Sequence, residues 1–130
     1  MDTVFSKIIR GEIPATKVYE DEESLAFLDI APVSKGHTLL IPKEPYVWMN
    51  DVPDELLARM FIKTKKLMNA IKSGLMCDYV QISVVGKDVP HFHIHLIPRY
   101  FNDALPNFPT ISYNDNEMTT VSENIKKALG

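Results

Sequence analysis

The sequence predicts an α+β fold, an antiparallel sheet carrying one long helix and short terminal helices. Three observations point there. Residues 80–85 and 91–97 alternate apolar and polar side chains, the period of a strand with one buried face. Residues 54–73 instead space their apolar side chains three and four apart, the period of one long helix. The strand-like segments also follow one another directly rather than alternating with helices, which argues against a parallel βαβ sheet. With 130 residues and 45% apolar content, the chain has the size and composition of one domain, 1–130, built on one sizeable core.

In chain order, Phe5–Arg10 reads as a short helix stopped by Gly11. Ile13-Pro14 then opens an extended segment, because a residue before proline is pushed out of the helical region. Val18–Glu20 and Leu25–Ile30 read as an antiparallel pair, with Asp21-Glu22-Glu23-Ser24 as its solvated turn. Beyond Pro32 and a Ser34-Lys35-Gly36 turn, His37–Ile41 is a compact apolar strand ended by Pro42. Asp51 is placed to cap the long helix, with Pro53 in its first turn and Asp54 and Glu55 at the positive end of the dipole. Leu56, Leu57, Met60, Phe61, Leu67, Met68 and Ile71 make its apolar face, Lys63, Lys65, Lys66 and Lys72 the other, and Gly74 its stop. Val80–Val85 reads as a strand joined through a tight Gly86-Lys87 turn and Asp88-Val89-Pro90 to the strand at His91. Residues 102–116 read as irregular, and Val121, Ile125, Ala128 and Leu129 as a short terminal helix.

Composition excludes several function classes. A formal charge of −3, with no cluster of Lys and Arg, offers no surface for a nucleic acid polymer. No apolar run approaches the ~20 residues that span a bilayer, and Met1–Lys7 lacks the basic-then-apolar pattern of a secretory signal. One cysteine, Cys77, rules out an intrachain disulfide framework and reads as a buried, inert thiol. A cytoplasmic protein is expected.

The chemistry is concentrated in His91-Phe92-His93-Ile94-His95-Leu96-Ile97-Pro98. A strand sends successive side chains to opposite faces, so this spacing puts three imidazoles on one side while Phe92, Ile94 and Leu96 enter a core. The histidines are expected on the open face of the sheet, the helix covering the other. Imidazole titrates near neutrality, which suits it to nucleophilic and proton-transfer work and also to metal ligation. The chain has one further histidine, His37.

The run His91–Ile97 resembles the signature of the histidine triad (HIT) nucleotide-binding family, three histidines separated by apolar residues. The N-terminal half agrees with the Hint branch independently, through Phe5-Ser6-Lys7-Ile8-Ile9-Arg10-Gly11-Glu12-Ile13-Pro14-Ala15, Val18-Tyr19-Glu20-Asp21-Glu22, Ala26-Phe27-Leu28-Asp29-Ile30 and His37-Thr38-Leu39-Leu40-Ile41-Pro42-Lys43.

The resemblance implies a hydrolase or transferase that cleaves at the α-phosphate of a nucleotide conjugate, a phosphoramidate or a dinucleoside polyphosphate, through a nucleotidyl-histidine intermediate. His93 would be the nucleophile. Its second ring nitrogen would donate to a backbone carbonyl near His37, and His95 would donate to phosphate oxygens or the leaving group. His91 and His37 would orient the constellation. Phe5, Ile8, Ile13, Phe27, Leu28 and Ile30 match the positions that enclose the base, and Asp29 the acceptor for ribose hydroxyls. By the same resemblance the nucleotide is a purine one, no cofactor is required and the protein is a homodimer pairing through the long helix and a sheet edge. The chain departs from the family pattern at Ser83-Val84-Val85-Gly86-Lys87-Asp88-Val89-Pro90, which is shorter and lacks the usual Asn-x-Gly and Gln. Gly86, Lys87, Asp88 and Val89 are nevertheless the positions from which phosphate and ribose contacts would come, with Lys87 supplying charge and Asp88 opposing it. Glu44-Pro45 stands where a histidine is often found. Two other readings stay open: a nucleotide-binding sensor or scaffold without turnover, and a histidine metal site used for hydrolysis or storage.

Overall fold

The computed structural model describes residues 2–104 and 108–130. The elements run α1 (Val4–Ile9), β1 (Lys17–Glu20), β2 (Ser24–Leu28), β3 (Thr38–Pro42), a 3-10 turn (Met49–Asp51), α2 (Asp54–Leu75), β4 (Tyr79–Ser83), β5 (Ile94–Arg99) and α3 (Glu117–Leu129). The five strands form one antiparallel sheet in the order β1-β2-β3-β5-β4. This is the expected α+β architecture. Residues 105–107 of the stretch expected to be irregular lie outside the described residues; its other positions carry turns, a bend and otherwise no regular secondary structure up to the start of α3.

Local chemistry explains the boundaries. Thr3 caps α1: its hydroxyl accepts from the Ser6 N–H at 3.2 Å, while the Thr3 N–H donates to the Ser6 hydroxyl. Gly11, at φ +78°, takes the left-handed turn that lets the chain leave the helix. At the β1–β2 turn one Asp21 oxygen accepts from the Glu23 N–H, the Ser24 N–H and the Ser24 hydroxyl, and Lys63 reaches over from α2 to pair with Asp21 at 2.7 Å. The acidic tip is thus tied to the long helix as well as solvated. Burial opposes ionisation of Asp21, but Lys63, Tyr19 and these donors outweigh it and hold its carboxyl well below the usual range.

Three expectations need correction. Asp51 does not cap α2; it lies in the preceding 3-10 turn, where its carboxylate accepts from the Trp48 N–H, and Pro53 is the residue that enters the helix. Gly74 does not stop α2, which continues through Leu75 and ends on Met76 in the left-handed conformation. The β4–β5 link is not a tight turn: β4 ends at Ser83 and β5 begins at Ile94, although Ser83 still pairs with His95. The two strands do pair antiparallel as expected, but Pro90 has no N–H for the ladder and Gly86 turns at φ +76°, so residues 84–93 make a long connection in place of a tight turn.

The core has two parts, one on each side of the sheet. Against α2, residues Leu40, Ile94, Leu96 and Phe92 pack on Met60, Leu67 and Ile71. On the reverse side, Leu25, Phe27, Leu39 and Ile41 are covered by Phe5 and Ile8 of α1. The face expected to be open is therefore partly roofed. Four apolar strand residues point that way, and α1, with two apolar side chains of its own to bury, closes over them.

Candidate active site

The site lies on the α1 side of the sheet, where β3 and β5 run side by side. Cα register pairs Leu39 with His95 and Leu40 with Ile94, so neighbouring rows of the same two strands face opposite ways. His91 and His93 precede β5 yet keep its alternation. The His93 and His95 rings are 4.9 Å apart, and Phe5 meets both His93 (5.1 Å) and His91 (5.9 Å) edge-on. His37, at the entrance to β3, joins them through its contact with His95. All four histidines thus converge.

His37, His91 and His93 are buried and only His95 is half-buried, so the expectation of three imidazoles on an open face fails for His93 as well as for His91. His91 is fully buried, and the expectation that it projects from an open face is wrong: Phe5 covers it, and its Nε2 lies 2.8 Å from the Pro42 carbonyl. A carbonyl can only accept, so Nε2 carries the proton and donates. The buried Nδ1 is left without a partner among the described residues. Burial outweighs the opposing pull of the Pro42 contact and, with His93 adding to it, holds the affinity of His91 for a second proton below the ordinary histidine value.

The same rule orients His93. Its Nδ1 is 2.7 Å from the His91 carbonyl and must donate to it, leaving the lone pair on Nε2. The acceptor is the carbonyl two residues back, in the extended chain leading into β5, rather than one near His37. The physical requirement was read correctly but assigned to the wrong segment.

The His37 and His95 tautomers follow from one backbone donor. The Val33 N–H donates to His37 Nδ1 at 3.1 Å, so the His37 proton sits on Nε2. That nitrogen is 2.9 Å from His95 Nδ1, which therefore accepts, and the His95 proton is on Nε2. Asp29 stands 3.8 Å from His37 Nε2, while its other oxygen accepts from the Ala31 N–H at 2.9 Å. Burial lowers the His37 pKa against the opposing pull of Asp29. His95 is pushed down to about 4, first by burial and then by His93 and His37. A neutral His95 that offers an N–H is the outcome.

Chemically, the arrangement holds one imidazole with a bare nitrogen, His93, beside one with a fixed N–H donor, His95. That suits attack on an electrophile next to stabilisation of the negative charge that develops on it. A metal could be approached differently: Asp29, His37 and His95 offer three ligand atoms within 4.8 Å of one another. His91 and His93 are not in that group, and the 2.9 Å hydrogen bond between His37 and His95 occupies two of its donors.

The other sequence-derived positions divide by location. Phe5, Ile8 and Phe27 are buried together, with Ile13 and Val89 packed at their margin. Leu28 and Asp29 are half-buried, whereas the side chain of Ile30 is 99% exposed. Gly86 is buried, and a Cβ there would meet the Trp48 ring at 3.2 Å; Lys87 and Asp88 are exposed. Sequence reasoning missed the groups that set the tautomers, which are the N–H of Val33 and the carbonyls of Pro42 and His91. A backbone group carries no side-chain signature, so only the chain path reveals them.

Fold and site together place the molecule among α+β proteins whose inner strand brings alternating histidines to one face. A HIT domain family model matches residues 10–102, and the chain belongs to the histidine triad (HIT) family. It is similar to a HIT-like protein of Methanocaldococcus jannaschii, 38% identical over 98% of each chain. It is also similar to the adenosine 5′-monophosphoramidase hnt1 of Schizosaccharomyces pombe, 42% identical over 76% of this chain and 75% of that one. The crystal structure of a HIT family member from Bacillus subtilis superposes with a TM-score of 0.86 at 36% identity, covering 100% of this chain and 99% of that one.

Proposed function

We propose that this protein hydrolyses purine nucleotide conjugates at the α-phosphate through a nucleotidyl group carried on His93. The observation that bears the reading is the 2.7 Å hydrogen bond from His93 Nδ1 to the His91 carbonyl, which leaves Nε2 unprotonated and able to attack. Attack forms a P–N bond while the leaving group departs with the electron pair of the bond that breaks. The Nδ1 proton stays on the ring, and the cation so formed rests against the His91 carbonyl. His95 Nε2–H donates to a phosphoryl oxygen or to the leaving atom. Water then attacks the same phosphorus, breaks the P–N bond and returns His93 to its starting state, releasing a nucleoside monophosphate and a proton. The activity in the name of the S. pombe relative, a monophosphoramidase, is of this type.

In this reading Phe5, Ile8, Ile13, Phe27, Leu28 and Ile30 wall the base, and Asp29 accepts from the ribose hydroxyls. Gly86, Lys87, Asp88 and Val89 border the phosphates. The chemistry needs no cofactor, and the protein works as a cytoplasmic homodimer. Among the described residues no helix is long and apolar enough to cross a membrane.

The test is intact-mass spectrometry after rapid acid-free quenching of the protein with adenosine 5′-monophosphoramidate. One added adenylyl mass, mapped to the peptide containing His93 and absent from His93→Ala, is expected. Turnover with an adduct elsewhere, or no turnover, overturns the reading. A second reading rests on the Asp29–His37–His95 grouping, which a divalent metal could occupy. Under it, turnover stops when a chelator is added; under the first it does not.

A further inference from the structure

The histidine face continues onto β4, whose polar residues take no part in the attack by His93. Val80 and Ile82 belong to the core against α2, so Gln81 and Ser83, one position along the strand from each, stand on the opposite face with the histidines. Cα register pairs Ser83 with His95 and Gln81 with Ile97. Residues directly opposite on neighbouring strands have Cβ atoms about 4.5–5.5 Å apart, which puts the Ser83 hydroxyl beside the His95 side chain. His95 turns its Nδ1 the other way, to His37 at the entrance to β3. Ser83 therefore flanks the site on the side away from His37.

A chain of hydrogen bonds fixes which way the Ser83 proton faces. It starts at Arg99, which ends β5 and alternates onto the same face as His95. Arg99 is only 3% exposed, and a guanidinium is tolerated there because its donors are met. Nε and Nη2 donate to the two oxygens of Asp103 at 2.8 and 2.9 Å, and Nη2 donates also to the Ala104 carbonyl. Asp103 is held in turn by the Tyr100 N–H. The remaining nitrogen, Nη1, donates at 3.0 Å to the side chain of Gln81. A guanidinium cannot accept, so Gln81 turns its oxygen to Arg99, and its amide nitrogen faces Ser83 Oγ at 3.0 Å. The Ser83 oxygen is the acceptor in that contact. Its own proton points away from Gln81 and meets no acceptor among the described residues.

We propose that Ser83 is a further catalytic residue, its O–H donating to a phosphoryl oxygen beside His95, and that Gln81 and Arg99 are positioning residues that aim it. This role rests on the His93 reading. No bond to Ser83 forms or breaks; the hydroxyl stabilises negative charge as the phosphorus is attacked, and His95 does so from the other flank. Because Gln81 occupies one lone pair beforehand, the donor is oriented before the substrate arrives and little reorganisation is needed at the moment of reaction.

The test follows the rate of adenylyl-His93 formation from adenosine 5′-monophosphoramidate in a single turnover. Ser83→Ala is expected to slow it about 10- to 100-fold, the scale of a hydrogen bond to a charged group. Ser83→Thr, which restores the hydroxyl, should recover most of that loss. Gln81→Glu still accepts from Arg99 but has no N–H to give, so the Ser83 proton turns to the new carboxylate and the rate should fall by a similar factor with Ser83 itself intact. Combined with Ser83→Ala, Gln81→Glu should add less than about twofold, because both substitutions remove the same donor. Adduct formation at the parent rate in Ser83→Ala, or no recovery in Ser83→Thr, overturns the role of Ser83 and leaves the His93 reading standing. Losses that multiply in the double variant overturn the aiming by Gln81. A parent that forms no adduct on His93 overturns both readings.

Discussion

The two faces of the sheet are made from the same strands and do opposite things. On the α2 face, Leu40, Ile94 and Leu96 are completely buried in an apolar cluster with Met60 and its neighbours. One residue along each strand, the α1 face carries Leu39 and His95, and next to them three more histidines whose protons are assigned by hydrogen bonds. The first face stabilises by removing hydrocarbon from water. The second gives up part of that gain to hold polar rings in fixed tautomers, and it does so over a short helix of six residues rather than one of 22. The histidine arrangement rests on an apolar layer packed directly behind it.

That contrast can be broken most sharply at His93. Replacing it with alanine is expected to lower kcat/KM by about 10³-fold or more, the scale seen when a nucleophile is removed. The thermal midpoint should move much less; a collapse of the midpoint instead would make His93 a structural residue. Asp29→Asn tests the ribose contact. A hydrogen bond to a charged group is worth about 1.5–3 kcal/mol, so KM should rise about 10- to 100-fold. With a 2′,3′-dideoxy substrate the same variant should match the parent, and an equal penalty there would remove Asp29 from ribose recognition.

Met60→Ala attacks the other face. Met60 is fully buried, and its truncation is expected to cost about 2–5 kcal/mol in denaturant unfolding. Below the new midpoint kcat should be unchanged, since the change lies behind the sheet.

A smaller effect comes from pH. His37, His91 and His95 all hold protons less tightly in the fold than the ordinary value of 6.5, burial being the main cause for each. Below that value the unfolded chain binds protons that the folded one refuses, so stability rises with pH across this window. Unfolding free energy should be level above about pH 7 and decline as pH falls from 6.5 towards about 4, where His95 titrates. A stability maximum below pH 6 would contradict neutral, buried imidazoles. The smallest expected effect is none at all: dialysis against a chelator should leave kcat/KM unchanged, and loss restored by a divalent ion would favour the Asp29–His37–His95 metal site.

Much of this was legible in the residues. Alternation from His91 to Ile97 identified which side chains share a face, even though only Ile94 onward is paired as a strand, because extended chain keeps its period of two beyond the last ladder bond. The helical spacing of Leu56, Met60, Leu67 and Ile71 marked the layer behind it. Boundaries fared worse. Asp51 is a good capping residue by type, but the preceding 3-10 turn claims its carboxylate, and Gly74 lies within a helix that α2 packing carries one residue further.

What the sequence determined alone is the inventory and its periodicity: four histidines, three of them in alternation, an apolar helix face and a carboxylate at Asp29. These are properties of side-chain type and spacing along one chain. The tertiary structure decided which nitrogen of each ring holds its proton, how deeply His91 is buried, and that α1 roofs the histidine face. Those outcomes depend on the Val33 N–H and the Pro42 carbonyl, main-chain groups that every sequence contains. They acquire a role only when the fold brings them within about 3 Å of a particular ring.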